Sequence, residues 1–102
     1  MDDLKSDYPE GEQTESGIYK YSEFALQLKK IRIYRGYRHQ AKAAEDLEFS
    51  RQVFSLWELG KRLPTLKQIT RIANFFRVRI EYFFLPQTNP NDYDLDKQSL
   101  EL

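Results

Sequence analysis

The run Ser50-Arg51-Gln52-Val53-Phe54-Ser55-Leu56-Trp57-Glu58-Leu59-Gly60-Lys61-Arg62-Leu63-Pro64 decides how this chain folds. Ser50 is a helix N-cap, because its hydroxyl can accept from one of the first N–H groups that a helix leaves unpaired. Arg51 to Leu59 then forms a helix, and Gly60 ends it in the left-handed conformation that glycine adopts cheaply. Phe54 and Trp57, three residues apart, share the inward face. Arg51, Gln52, Ser55 and Leu56 are left on the exposed one.

The same punctuation recurs on both sides of this run. Toward the N-terminus, Ser22 caps a first helix from Glu23 to about Tyr34, with Phe24, Leu28 and Ile31 inward, and Gly36 breaks it. A short second helix follows from about Gln40 to Leu47, burying Ala43, Ala44 and Leu47. Toward the C-terminus, Thr65 and Gln68 form a capping box for a fourth helix through Phe76, whose inner positions are Leu66, Ile69, Ile72, Ala73 and Phe76. A last short helix, Arg79 to Phe84, stops before Pro86. No segment alternates as a strand would, so the expected fold is all-α, a compact five-helix domain over residues 20–86.

The flanks differ in composition. Residues 1–19 carry six acids against Lys5 and residues 87–102 four acids against Lys97, net −5 and −3. Both hold little to bury and are expected to be disordered acidic tails. Residues 20–86 hold fourteen Lys and Arg against six acids, net +8, so a formal net charge of zero conceals a basic domain between acidic ends. Concentrated positive charge of this kind suits a phosphate backbone, where affinity comes largely from released counterions.

Other classes are excluded on chemistry. The 102 residues contain no cysteine and one histidine, His39, so neither a disulfide framework nor a metal site is expected. No glycine-rich phosphate loop and no pair of acids in an apolar setting is present, so no enzyme and no cofactor is expected. No apolar run reaches the roughly 18 to 20 residues that cross a bilayer, and the acidic start is unlike a signal peptide. The expected location is the cytoplasm.

The stretch from Leu28 to Phe84 resembles the phage repressor (Cro and repressor, or XRE) class of helix-turn-helix domains. The resemblance rests on Leu28, Ile31 and Arg32, on Gln40, Ala44 and Leu47, and on the ordered set Ser50, Arg51, Phe54, Ser55, Trp57, Glu58, Gly60, Lys61, Arg62 and Pro64. It continues through Leu66, Ile69, Ile72, Ala73, Val78, Ile80 and Phe83. Three departures stand out. The loop Gly36-Tyr37-Arg38-His39 is one residue longer than usual, and Ala43 replaces a usual leucine, leaving volume for Phe49, Phe54 or Trp57. Glu48 takes the turn position usually given to glycine, where a side chain costs roughly 1 kcal/mol.

The resemblance implies a transcriptional regulator, a repressor, that binds double-stranded DNA. A helix fits the major groove, so Arg51 and Gln52 are expected to read guanine and adenine edges, with Ser55 beside them and Leu56 against thymine methyl groups. Arg38, His39, Gln40, Ser50, Lys61 and Arg62 are expected to hold the DNA backbone. Arg32 and Glu58 are implied to be a structural ion pair tying the first helix to the third. Tyr82, Phe83, Phe84 and Leu85, an apparent surplus of large apolar groups, are the expected dimer interface of a homodimer. The rival function is an antitoxin or other protein-interaction module on the same fold, reaching a protein partner through the acidic tails.

Overall fold

The computed structural model describes residues 15–85 and 87–100. Among these residues five α-helices run in order: α1 (Glu15–Tyr34), α2 (Gln40–Leu47), α3 (Arg51–Glu58), α4 (Leu66–Phe76) and α5 (Leu95–Leu100). Two 3₁₀ turns, Ile80–Phe83 and Pro90–Tyr93, lie between α4 and α5. The fold is all-helical; among the described residues the only extended pairing is a single bridge between Val78 and Asp94. Among them too, no helix is long and apolar enough to cross a membrane.

One core unites the elements. Phe24, Leu28 and Ile31 of α1 meet Ala43, Ala44 and Leu47 of α2, Phe54 and Trp57 of α3, and Ile69, Ile72, Ala73 and Phe76 of α4, with Val78, Tyr82 and Phe83 closing it. Phe49 packs against this core and stands edge-on to Trp57 at 5.0 Å between ring centroids. Ser50 accepts from the Val53 amide at 3.0 Å. The reciprocal bonds of the Thr65 and Gln68 capping box are both made, at 2.9 and 3.1 Å.

The first four helices end in one way. The residue in the left-handed conformation and the one after it donate back to paired carbonyls: Gly36 to Ile33 and Tyr37 to Arg32, Glu48 to Glu45 and Phe49 to Ala44, Gly60 to Trp57 and Lys61 to Leu56, Arg77 to Asn74 and Val78 to Ala73. These bonds satisfy carbonyls that a helix end otherwise leaves open. Two of the four reversals use glycine. The other two place Glu48 at φ 65° and Arg77 at φ 54°, where a Cβ is strained.

The structure departs from the sequence expectations in five places. The first helix begins at Glu15 and runs through Ser22, which is therefore interior to it and not its N-cap, because neither proline nor glycine stands between Ile18 and Ser22 to stop it. The expectation for residues 1–14 lies outside the described residues. Leu66 is exposed, since Leu63 packs on the core and Pro64 is buried just ahead of it. The last helix of the expected domain is a 3₁₀ turn; the stretch between the reversal at Arg77 and Pro86 is short and closes with an i to i+3 bond, Tyr82 N–H to the Arg79 carbonyl at 3.0 Å.

Tyr82 and Phe83, expected at a dimer surface, are core residues with 0% and 3% exposure. The Tyr82 hydroxyl donates to the Gln27 carbonyl at 2.7 Å, and the Phe83 ring packs on Phe24 at 5.3 Å. Finally, the segment from residue 87, expected as a disordered tail, packs on the domain as far as the start of α5. Arg79 N–H donates to Tyr93 and Leu95 N–H to Arg77, Pro90 is buried, and Asp94 is paired beneath them. An acid-rich, apolar-poor stretch orders here because complementary arginines wait for its carboxylates.

Candidate nucleic-acid interface

The α2–α3 unit is a bent pair joined at Glu48, and the left-handed turn there throws the start of α3 outward. Arg51 and Gln52 in the first turn of α3 are exposed, as are the preceding Ser50 and the earlier Arg38 and His39. Ser55 and Leu56, one turn along α3, are half-buried. The Ser50 oxygen accepts as a cap, which leaves its O–H and the first amides of α3 to donate to a ligand. His39 stands at the N-cap of α2 in extended backbone and makes no side-chain cap bond.

The back of α3 is fixed by one carboxylate. Glu58 accepts from Arg32 Nε at 2.7 Å, from Arg32 Nη2 at 3.2 Å and from Gln40 Nε2 at 2.9 Å. The remaining guanidinium nitrogen of Arg32 donates to the Tyr37 carbonyl at 2.8 Å. With 6% and 3% of their side chains exposed, Arg32 and Glu58 form a buried pair that joins α1, the loop, α2 and α3 at one point. Gln40, expected at the backbone contact, is therefore half-buried with its amide nitrogen held by Glu58; what it offers an anion is the free amides of the first α2 turn.

Cations differ in whether an acid reaches them. Arg32, Arg35, Arg71, Arg77 and Arg79 all have carboxylate partners. Arg38, Arg51, Lys61 and Arg62 have none among the described residues, and all four are exposed at the start of α2 or at either end of α3. Four exposed cations without such a partner therefore lie around α3, and Lys29 of α1 and Lys67 of α4 are likewise exposed with none among the described residues. The one residue of this region that the sequence left unnoticed is Arg71, in α4, whose guanidinium lies over the Phe49 ring at 4.6 Å and beside the α2–α3 turn.

A bent helix pair whose second helix exposes a polar first turn, backed by α1, α4 and α5, defines a helix-turn-helix protein. The chain matches the helix-turn-helix family over residues 28–83, more than half its length, and belongs to that family. Among curated proteins it is similar to the SPbeta prophage-derived uncharacterized HTH-type transcriptional regulator YonR of Bacillus subtilis (strain 168), at 35% identity over 74 residues. That match covers 72% of this chain and 66% of the relative, just under two thirds of its length. No solved structure matches the chain.

Proposed function

We propose that this chain is a sequence-specific binder of double-stranded DNA that represses transcription and carries out no catalysis. In this reading α3 lies in the major groove, Arg51 and Gln52 bond base edges, and Ser55 and Leu56 line the groove floor beside them. Arg38, His39, Ser50, Lys61, Arg62 and the first turn of α2 at Gln40 hold phosphates. The observation that supports it best is the set of four exposed cations with no carboxylate partner among the described residues, around a helix whose inner end is locked by Glu58. The protein works as a homodimer in the cytoplasm, with Phe84 and Leu85, 54% and 43% exposed, as the remaining apolar contact. A protein partner bound through the acidic tails is less well supported on the C-terminal side, where Asp94 and Asp96 are already paired with Arg35 and Arg77.

One experiment tests the whole reading. Duplexes selected by the chain from a randomised pool should contain an inverted repeat with half-sites about one turn, or 34 Å, apart. On the selected duplex, Arg51→Ala and Gln52→Ala should each lose about 1–3 kcal/mol while binding to random duplex is unchanged. Lys61→Ala and Arg62→Ala should weaken both duplexes alike and lower the salt slope by about one unit each. Equal losses on both duplexes from the α3 variants would reject base reading, and a lone half-site would reject the dimer.

A further inference from the structure

The turn between α2 and α3 carries a residue at φ 65° that is not glycine, in the very place where an error of angle would misdirect the exposed end of α3. Glu48 cannot hold this conformation by its own contacts, because its side chain is 82% exposed. The turn is instead gripped from α4. Arg71 Nη2 donates to the Leu47 carbonyl, one of those that the end of α2 leaves open. Its guanidinium carbon sits 4.6 Å from the centre of the Phe49 ring, and Nη2 is 3.4 Å from Glu48 Oε1. A single planar group thus touches three consecutive residues of the turn. Phe49 in turn stands edge-on against Trp57 of α3, at 79° between ring planes.

These contacts differ in kind. The ion pair with Glu48 is exposed and contributes little. The carbonyl bond together with the stacked ring requires a flat, forked cation, which lysine cannot replace. We propose that Arg71 is the positioning residue of the helix-turn-helix: it holds the left-handed turn in glycine's stead and, through Phe49 and Trp57, sets the angle at which Arg51 and Gln52 are presented. The inference rests on the reading of α3 as the base-reading helix. It assigns Arg71 no contact with DNA, since the guanidinium is turned onto the protein's own backbone.

The test uses the full chain, the duplex it selects from a randomised pool, and a random duplex of equal length. Arg71→Ala and Arg71→Lys should each weaken binding to the selected duplex about tenfold, the loss of a charge-assisted bond and a stacked cation, and should weaken random duplex less. The salt slope should not change in either variant. Without DNA, both should shift the fluorescence of Trp57, the sole tryptophan. Adding Glu48→Gly to Arg71→Ala should restore most of the lost affinity, because glycine holds the turn unaided.

A lysine variant that binds and fluoresces like the original, beside an alanine variant with a salt slope lower by one, would make Arg71 a phosphate contact and overturn the proposal. So would unchanged affinity and emission in Arg71→Ala, or failure of Glu48→Gly to rescue it. Should the alanine variant not fold, the lysine variant and the double variant give the same decision. A chain that selects no sequence at all would reject base reading, while the Trp57 emission would still decide whether Arg71 sets the turn.

Discussion

Arg32 in the last turn of α1 and Arg35 just past its end each bind a buried carboxylate at 2.7 Å, yet they hold different parts of the molecule. Arg32 reaches Glu58 and fixes the helix proposed to read DNA. Arg35 reaches Asp94 and fastens the C-terminal segment, with further bonds from its Nε to the Phe76 carbonyl at 2.8 Å and from Tyr34 to the same Asp94 at 2.7 Å. Position on a helix says which way an arginine points; the acid that arrives there decides its purpose. The Glu58 acid comes from 26 residues away inside the family's own span, whereas Asp94 comes from 59 residues away and beyond it.

The comparison breaks if the two pairs prove equal in weight. The largest loss is expected from Arg32→Ala, which strands the buried Glu58 charge and should cost about 3–5 kcal/mol in urea unfolding. Replacing both partners with Met and Leu should cost less than either single change, because the cost lies chiefly in an uncompensated charge. A loss from Arg35→Ala as large as that from Arg32→Ala would erase the distinction.

Next comes Asp94→Asn, expected to cost about 1–3 kcal/mol as charge-assisted bonds weaken. Burial pushes the Asp94 carboxyl up, but hydrogen bonds from Arg35, Tyr34 and the Asp96 amide outweigh it and hold the group down to about 2. Its folded value lies below its unfolded one, so its contribution is complete above about pH 4 and fades as pH falls toward 2. Stability measured across that range should fall more steeply in the original chain than in the Asn variant, and parallel curves would exclude Asp94 as the cause. The smallest effect is expected at Asp96→Asn. Its partner Arg77 is 55% exposed and Asp96 itself 48%, so thermal unfolding should not resolve the change; a clear drop would make the outer pair part of the fastening.

Much of the core was legible because local signals agree with the fold. Ser50, Gly60, the Thr65 and Gln68 box, and the apolar spacing of α2, α3 and α4 each state their element within a few residues. Arg32 with Glu58 was legible only through the motif that contains both. The reversal at Arg77 was not, since nothing in its type marks a left-handed turn. Tyr82 and Phe83 looked surplus because the count of apolar groups on one short helix omitted the face of α1 where Gln27 and Phe24 receive them. Asp94 was hidden by its neighbours: an acid among acids reads as solvated until the arginine opposite it is known. Arg71 was missed for a related reason, its closer partners being a carbonyl and a ring, with the Glu48 carboxylate exposed beside them.

The fastening by Asp94 also bears on where this unit ends. The family match stops at residue 83, and a fragment cut there would keep every residue proposed to meet DNA. It would also strip the cover from Val78 and Tyr82, leave Arg35 without its acid, and free the Gln27 amide from Thr88. Similarity draws the border of the domain at the 3₁₀ turn that ends with Phe83; mechanical closure draws it beyond Asp94, and fusions or truncations built on this chain should respect the second line.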